Sequence, residues 1–306
     1  MRVAAVDLGT NSTRLLVADV DDGRVEEVAR LSQITRLGEG VDERRKLLPL
    51  PVARVRNVLS DYRRELERLG AERVLTIGTS AVRDAENGEA FLGEIEWSYG
   101  FTTRLVTGDE EAGLTLRGVA TGRPLDEGTL VLDVGGGSTE LITTSERTSI
   151  DVGSVRLTER HLRSDPPAPG ALAAAASEVR DLLPQLEPTA AVGVAGTITT
   201  LAALELGGND PDRVHGFHLS RAAAAGQLER LASLPLAERR KLPGLDPERA
   251  PVIVGGALIV SAVLDRYRLH GLEVSERDLL HGAALEAAEL PEPVEGDAPP
   301  GAYTCC

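Results

Sequence analysis

Cysteine is nearly absent. The 306 residues contain two, adjacent at the C-terminus as Cys305-Cys306. Such a pair cannot build a disulfide framework or a four-ligand zinc site. Aromatic residues are scarce at 3 %, so a core must rest on Val, Leu, Ile and Ala. No apolar run reaches the ~18 residues of a membrane span. The His residues show no metal-ligand spacing. Positive charge is also in deficit, with 33 Lys and Arg against 48 Asp and Glu and a formal net charge of −15. That balance argues against generic nucleic-acid or anionic-membrane binding, and any phosphate site must be basic locally. The first apolar stretch has strand character and carries Asp7, unlike a signal peptide. A cytoplasmic enzyme is the default expectation.

Glycine is plentiful, and a short glycine-containing pattern occurs twice. Val6-Asp7-Leu8-Gly9-Thr10-Asn11-Ser12-Thr13 near the N-terminus matches Leu132-Asp133-Val134-Gly135-Gly136-Gly137-Ser138-Thr139 downstream. Each copy leaves one apolar run and enters another, which reads as strand, tight turn, strand. Successive N–H groups in such a turn form an anion-binding nest, and glycine permits close approach. A carboxylate at the strand end can hold a hydrated cation beside the same anion.

Strand and helix patterns alternate along the chain, so the fold class is α/β. Asp21-Asp22-Gly23 marks a hairpin turn. Helical stripes cover 51–69, 90–99, 108–120, 155–162, 171–186, 221–234, 249–266 and 279–289. The repeated turn divides the chain into residues 1–117 plus 283–290 and residues 118–282. A Pro-, Glu- and Gly-rich tail, 291–306, is expected to be disordered.

Each candidate site residue has a plainer alternative. Asp7, Asn11 and Ser12 form either a phosphate loop or an ordinary tight turn. Three consecutive glycines, Gly135, Gly136 and Gly137, cost more backbone entropy than a plain hairpin requires, which favours a functional turn with Ser138. Glu140 begins the return strand and could share Mg²⁺ with Asp133, or be a solvated strand residue. Arg83 follows the strand at Val74–Gly78, where α/β folds place ligands. It would clamp phosphate, or pair with Asp84 or Glu86. Thr107-Gly108-Asp109-Glu110-Glu111 is an acidic helix start, which suits the helix dipole. Its sharper reading makes Glu111 a general base that activates water. Arg156 would bring a further cation, with Arg14 as another accessory group. His215 and His218 read as structural or substrate-edge residues, and Arg44-Arg45-Lys46 as a solvated loop.

Taken in order, these segments resemble the Ppx/GppA phosphatase family of exopolyphosphatases and guanosine pentaphosphate phosphohydrolases. The matching pieces include Asp7 to Ser12, Thr79 to Ala85, Thr107 to Ala112, Asp133 to Glu140, Gly153 to Thr158, Ala195 to Thr200 and Leu242 to Leu245. The resemblance implies two ribonuclease H-like domains of the actin-like ATPase superfamily around a cleft. It implies Glu111 as catalytic base, and Asp133 and Glu140 as ligands of Mg²⁺ (or Mn²⁺), with Asp7 nearby. Asn11, Ser12, Arg83, Gly136, Gly137 and Ser138 would cradle phosphate. Thr10 stands where the family commonly has Ser, and the resemblance implies a short form, expected to be without the extra C-terminal helical domains of long members. The implied activity is release of the terminal phosphate from inorganic polyphosphate, with short chains preferred. Removal of the 5′ γ-phosphate of pppGpp is the near alternative, and a homodimer is implied by resemblance alone. An ATP-dependent small-molecule kinase of the same fold group would use Gly193 to Thr197 against adenosine. A non-catalytic alarmone or polyphosphate sensor would retain the pocket without turnover.

Overall fold

The computed structural model describes residues 1–291. Two compact units divide the chain: Met1–Arg123 together with the segment from Leu279, and Pro124–Asp278. The divisions fall at 123/124 and 278/279 rather than at 117/118 and 282/283. The tail expected to be disordered, and Cys305-Cys306 with it, lies outside the described residues from 292 onward.

The first unit opens with β1 (Arg2–Leu8), β2 (Ser12–Asp21) and β3 (Arg24–Ile34), an antiparallel run closed by the turn at Asp22-Gly23. A short helix α1 (Val41–Arg44) precedes the long α2 (Pro49–Leu69). Then come β4 (Arg73–Gly78), α3 (Ser80–Asp84), α4 (Gly88–Tyr99), β5 (Thr102–Leu105) and α5 (Gly108–Ala120). The sheet order is β3-β2-β1-β4-β5, with β1, β4 and β5 parallel. Alternation along β1 sends Ala4, Val6 and Leu8 towards α2 and α4, and Val3 and Ala5 towards the opposite layer.

The second unit repeats this order. It begins with β6 (Thr129–Val134), β7 (Thr139–Ile142), β8 (Arg147–Ile150), α6 (Ser154–His161), α7 (Pro169–Leu182), β9 (Ala190–Val194) and α8 (Ala195–Leu206). It continues with α9 (Pro211–Val214), β10 (His218–Ser220), α10 (Arg221–Ser233), α11 (Leu236–Arg239), α12 (Ile253–Arg266) and β11 (Gly271–Val274). The sheet runs β8-β7-β6-β9-β11-β10, which is the first sheet's order with β10 added antiparallel at the edge. The architecture is therefore α/β with two mixed sheets, as the sequence implied. The last helix, α13 (Leu279–Glu289), belongs to the first unit. Leu279, Leu280 and Ala283 share a core cluster with Leu114 of α5, and Arg117 pairs with Glu289 at 3.1 Å.

Differences from the sequence expectation follow from proline and from helix length. The helix expected over 249–266 starts at Ile253, because Pro251 lacks an N–H and restricts the residue before it. The one expected to reach 186 ends at Leu182, and Leu183 is extended ahead of Pro184 (ψ 125°). Residues 79–87, which no helical stripe covers, contain α3. A five-residue helix is too short for a periodic signal and holds only through tertiary contacts. Among the described residues no helix is long and apolar enough to cross a membrane.

Candidate active site

In the first unit, three loops leave the carboxyl ends of neighbouring parallel strands. Leu8 of β1 is in register with Gly78 of β4, and Gly78 with Leu105 of β5. The turn at Gly9–Asn11, the segment carrying α3 and the start of α5 therefore converge at one sheet edge. Such edges are where open α/β sheets place their ligands.

The turn itself is locked from behind. Gly9 N–H donates to the Ser12 carbonyl at 3.1 Å. The Thr10 carbonyl accepts from Gly38 N–H at 2.8 Å, and the Asn11 carbonyl from Thr35 and Arg36 N–H at 3.1 and 2.9 Å. Arg54 of α2 holds that backing segment by donating to the Thr35 carbonyl at 2.6 Å and to Glu39 Oε2 at 2.8 Å. In a planar trans peptide the C=O and N–H point opposite ways. Tying back the carbonyls of Thr10 and Asn11 thus aims the N–H groups of Asn11 and Ser12 away from the backing segment. The Asn11 side chain is 5 % exposed, and neither its Oδ1 nor its Nδ2 has a hydrogen-bond partner among the described residues. A buried amide left in that state costs ~1–3 kcal/mol, a debt that a bound anion or water would relieve.

Asp7 and Arg14 are directly opposite across β1 and β2. Asp7 Oδ2 accepts from Arg14 Nε at 2.9 Å and lies 2.8 Å from Arg14 Nη2. The sequence reading set Asp7 near a metal; in the structure its Oδ2 pairs with the Arg14 guanidinium, while its buried Oδ1 accepts no hydrogen bond among the described residues. Tyr62 of α2, also buried, donates to the Thr13 carbonyl at 2.8 Å and so fixes the strand that carries Arg14. Desolvation raises the Tyr62 phenol well above its ordinary value, keeping it a neutral donor.

The start of α5 separates structural acid from candidate base. Thr107 and Glu110 form a reciprocal capping box, with Glu110 Oε2 accepting from Thr107 N–H at 2.8 Å. Arg104 donates to Glu110 Oε1 at 2.6 Å and also pairs with Glu286 of α13. The Thr107 backbone donor leads these contacts, which together pull Glu110 down to about 2. Glu110 is thus a cap that fixes the first turn. Glu111, one residue on, is 8 % exposed, and its Oε2 accepts from Arg83 at 3.1 Å. Arg83 also donates to the Val106 carbonyl at 2.8 Å. Arg83 therefore pairs across the fold with Glu111, not with Asp84 or Glu86 as its plainer reading had it.

The second unit carries the same turn at the same register. Gly135 N–H donates to the Ser138 carbonyl at 3.1 Å, matching Gly9 and Ser12. Here the backing element is the start of α6. Ser154 N–H donates to the Gly135 carbonyl at 2.9 Å, and Val155 and Arg156 N–H to the Gly136 carbonyl at 2.8 and 3.2 Å. By the same peptide geometry the N–H groups of Gly136 and Gly137 face away from α6. Gly153 makes this approach possible, since a Cβ there would lie 2.4 Å from the Gly136 carbonyl carbon. Gly153→Ala is expected to push α6 off the turn and raise KM by about tenfold or more while the fold persists. Phosphate-release kinetics alongside a melting curve check this.

Asp133 and Glu140 stand directly opposite on β6 and β7, so their side chains share one face with Cβ atoms ~5 Å apart. They are 5 % and 1 % exposed, and Ser149 Oγ donates to Glu140 Oε1 at 2.8 Å. Among the described residues no group of three His, Cys, Asp or Glu side chains comes together. Two buried carboxylates are a donor set that fits Mg²⁺, which retains waters and takes one or two protein carboxylates beside substrate phosphate. Arg156 is buried at the start of α6. The junction of β9 and α8, at Ala195-Gly196, adds a residue that sequence reasoning missed. Arg249 lies against Gly196, where a Cβ would be 2.4 Å from its Nη1, and the preceding Ala195 has φ +66°. Val194, which ends β9, is in register with Asp133. Only the Pro-rich run before Arg249 signalled a loop there. His215 Nδ1 accepts from Glu276 N–H at 3.2 Å, a structural role.

A family model described as the Ppx/GppA phosphatase family matches residues 16–290. The chain belongs to the Ppx/GppA phosphatase family. Within that family it is 40 % identical to exopolyphosphatase 2 of Mycobacterium tuberculosis, over 94 % of this chain and 98 % of that one. It is 28 % identical to a guanosine-5′-triphosphate,3′-diphosphate pyrophosphatase of Vibrio atlanticus, over 94 % of this chain but 59 % of that one. Among solved structures it is similar to the Aquifex aeolicus PPX-GPPA enzyme, with a TM-score of 0.79 and 31 % identity over 94 % of this chain and 99 % of that one.

Proposed function

We propose that this Ppx/GppA phosphatase is a Mg²⁺-dependent exopolyphosphatase that hydrolyses the terminal phosphoanhydride bond of inorganic polyphosphate. The observation that carries the reading is the near full-length match, in both directions, to an exopolyphosphatase. The pyrophosphatase relative extends well beyond the matched region.

In this reading the outward N–H groups of Asn11 and Ser12, and of Gly136 and Gly137, bind phosphate oxygens, helped by the Ser12 and Ser138 hydroxyls. The Asn11 side-chain amide supplies a further donor. Arg14 sets a positive charge beside the first turn, already oriented by Asp7. Glu111 takes the proton of the attacking water, and Arg83 orients its carboxylate and meets phosphate charge from the side. Asp133 and Glu140 hold Mg²⁺, and Ser149 orients Glu140. The metal, when bound, neutralises charge on the transferred phosphoryl group. Asp7, whose Oδ2 pairs with Arg14, is assigned to orienting that guanidinium and is left out of the metal set.

The test is phosphate release from long polyphosphate, tripolyphosphate, pppGpp and ATP under one Mg²⁺ condition. Polyphosphate is expected to give the highest kcat/KM. A higher value with pppGpp would move the assignment to the nucleotide branch of the family.

A further inference from the structure

The basic run Arg44-Arg45-Lys46 stands apart from the other cations of the first unit. Arginines there are mostly held by acids, as in Arg2–Asp19, Arg54–Glu39, Arg56–Glu94, Arg68–Glu65 and Arg104–Glu110. Arg44 and Arg45 are exposed, and among the described residues neither lies in ion-pair range of an acid. Lys46 is engaged loosely, 3.7 Å from Glu86. Asp42 and Glu43 sit upstream in α1, so the two guanidinium groups distinguish this surface, not the segment's net charge.

This stretch is not the freely solvated loop that its composition suggests. The Arg45 carbonyl accepts from Glu86 N–H at 2.8 Å. Leu47 N–H donates to Asn87 Oδ1 at 2.8 Å, and Asn87 Nδ2 returns a bond to the Leu47 carbonyl at 3.1 Å. Glu86 and Asn87 follow closely on Arg83, the residue that touches Glu111. At its other end the same segment packs on the first turn, since Gly38 lies against Thr10 and Ala81. Arg45 holds a left-handed φ of +56°, a conformation that a long side chain adopts only where its surroundings impose it. Two guanidinium groups are thus carried on a braced backbone that runs from the phosphate turn to the Arg83 segment.

We infer that Arg44 and Arg45 form an outlying polyanion site, which holds phosphates of the chain beyond the one being cleaved. The inference rests on the polyphosphate reading above. A linear substrate leaves most of its charge outside the catalytic turns. In a protein of formal charge −15 that charge is repelled unless local cations receive it. Guanidinium groups suit phosphate oxygens by their planar fork of donors.

The test is the double variant Arg44→Gln/Arg45→Gln, with an unchanged melting temperature as the folding control. Kd for end-labelled long polyphosphate and KM for long polyphosphate are expected to rise about three- to tenfold, as for two exposed charge contacts. KM for tripolyphosphate is expected to stay within about twofold, and the salt dependence of long-chain binding to become shallower. Equal shifts for both substrates, or no shift for either, would overturn the inference. If the unaltered protein releases no phosphate from polyphosphate, the proposed activity falls. The Kd comparison then decides this site by itself: weaker long-chain binding in the variant supports it, and unchanged binding removes it.

Discussion

Glu111→Gln is expected to lower kcat for phosphate release by about 10²–10⁴-fold, the range that a positioned general base contributes. The substitution keeps shape and hydrogen-bonding capacity but removes the group that accepts a proton from water. The fold should be indifferent, because the reciprocal cap that fixes this helix start belongs to Thr107 and Glu110. Substrate affinity should hold or improve slightly, since Arg83 is released from an ionic partner it now has at 3.1 Å. Single-turnover kinetics beside direct binding of labelled polyphosphate separate the two effects. Near-normal turnover would remove Glu111 from the role of base.

Removing one of the paired carboxylates should be almost as damaging. Asp133→Asn and Glu140→Gln are each expected to weaken Mn²⁺ binding by at least the ~10–100-fold seen when only an outer-shell partner is lost. The pair is cross-strand and buried, so neither residue has a nearby substitute of its own chemistry on that strand pair. Mn²⁺ electron paramagnetic resonance reads the binding without reference to turnover. Asp7→Asn should leave Mn²⁺ binding unchanged, because this assignment gives Asp7 the task of orienting Arg14 through Oδ2. Loss of binding in Asp7→Asn, with retention in Asp133→Asn, would reverse the metal assignment.

Much of this was legible locally. The helix over 108–120 and the last helix over 279–289 follow from periodicity and end signals, and the structure has them at those bounds. The repeated Asp–Gly–Ser turn also announced itself, because the turn chemistry lies within a few consecutive residues. What the sequence did not reveal was which residues meet across the fold. Arg83 and Glu111 are joined by the register of β4 with β5, not by any spacing along the chain. The carbonyl anchors that aim the turn amides come from Thr35 to Gly38 in one unit and from Ser154 to Arg156 in the other. Thr35 to Gly38 carries no motif, and the Gly153 to Thr158 piece, though it matches the family, points in sequence only to the Arg156 cation and not to a carbonyl anchor. Asp7 and Asp133 look equivalent in sequence. Their difference lies seven positions on, in Arg14 and Glu140, and matters only once the hairpin sets each pair face to face.

The central claim is that this family member releases the terminal phosphate of polyphosphate, and the most direct measurement is kcat/KM on matched substrates. With Mg²⁺ present, long polyphosphate and tripolyphosphate should each be hydrolysed with kcat/KM at least about tenfold above pppGpp and ATP, a difference of ~1.4 kcal/mol in transition-state stabilisation. Comparable or greater kcat/KM on pppGpp, or phosphate transfer from ATP to an acceptor in place of release, would contradict it.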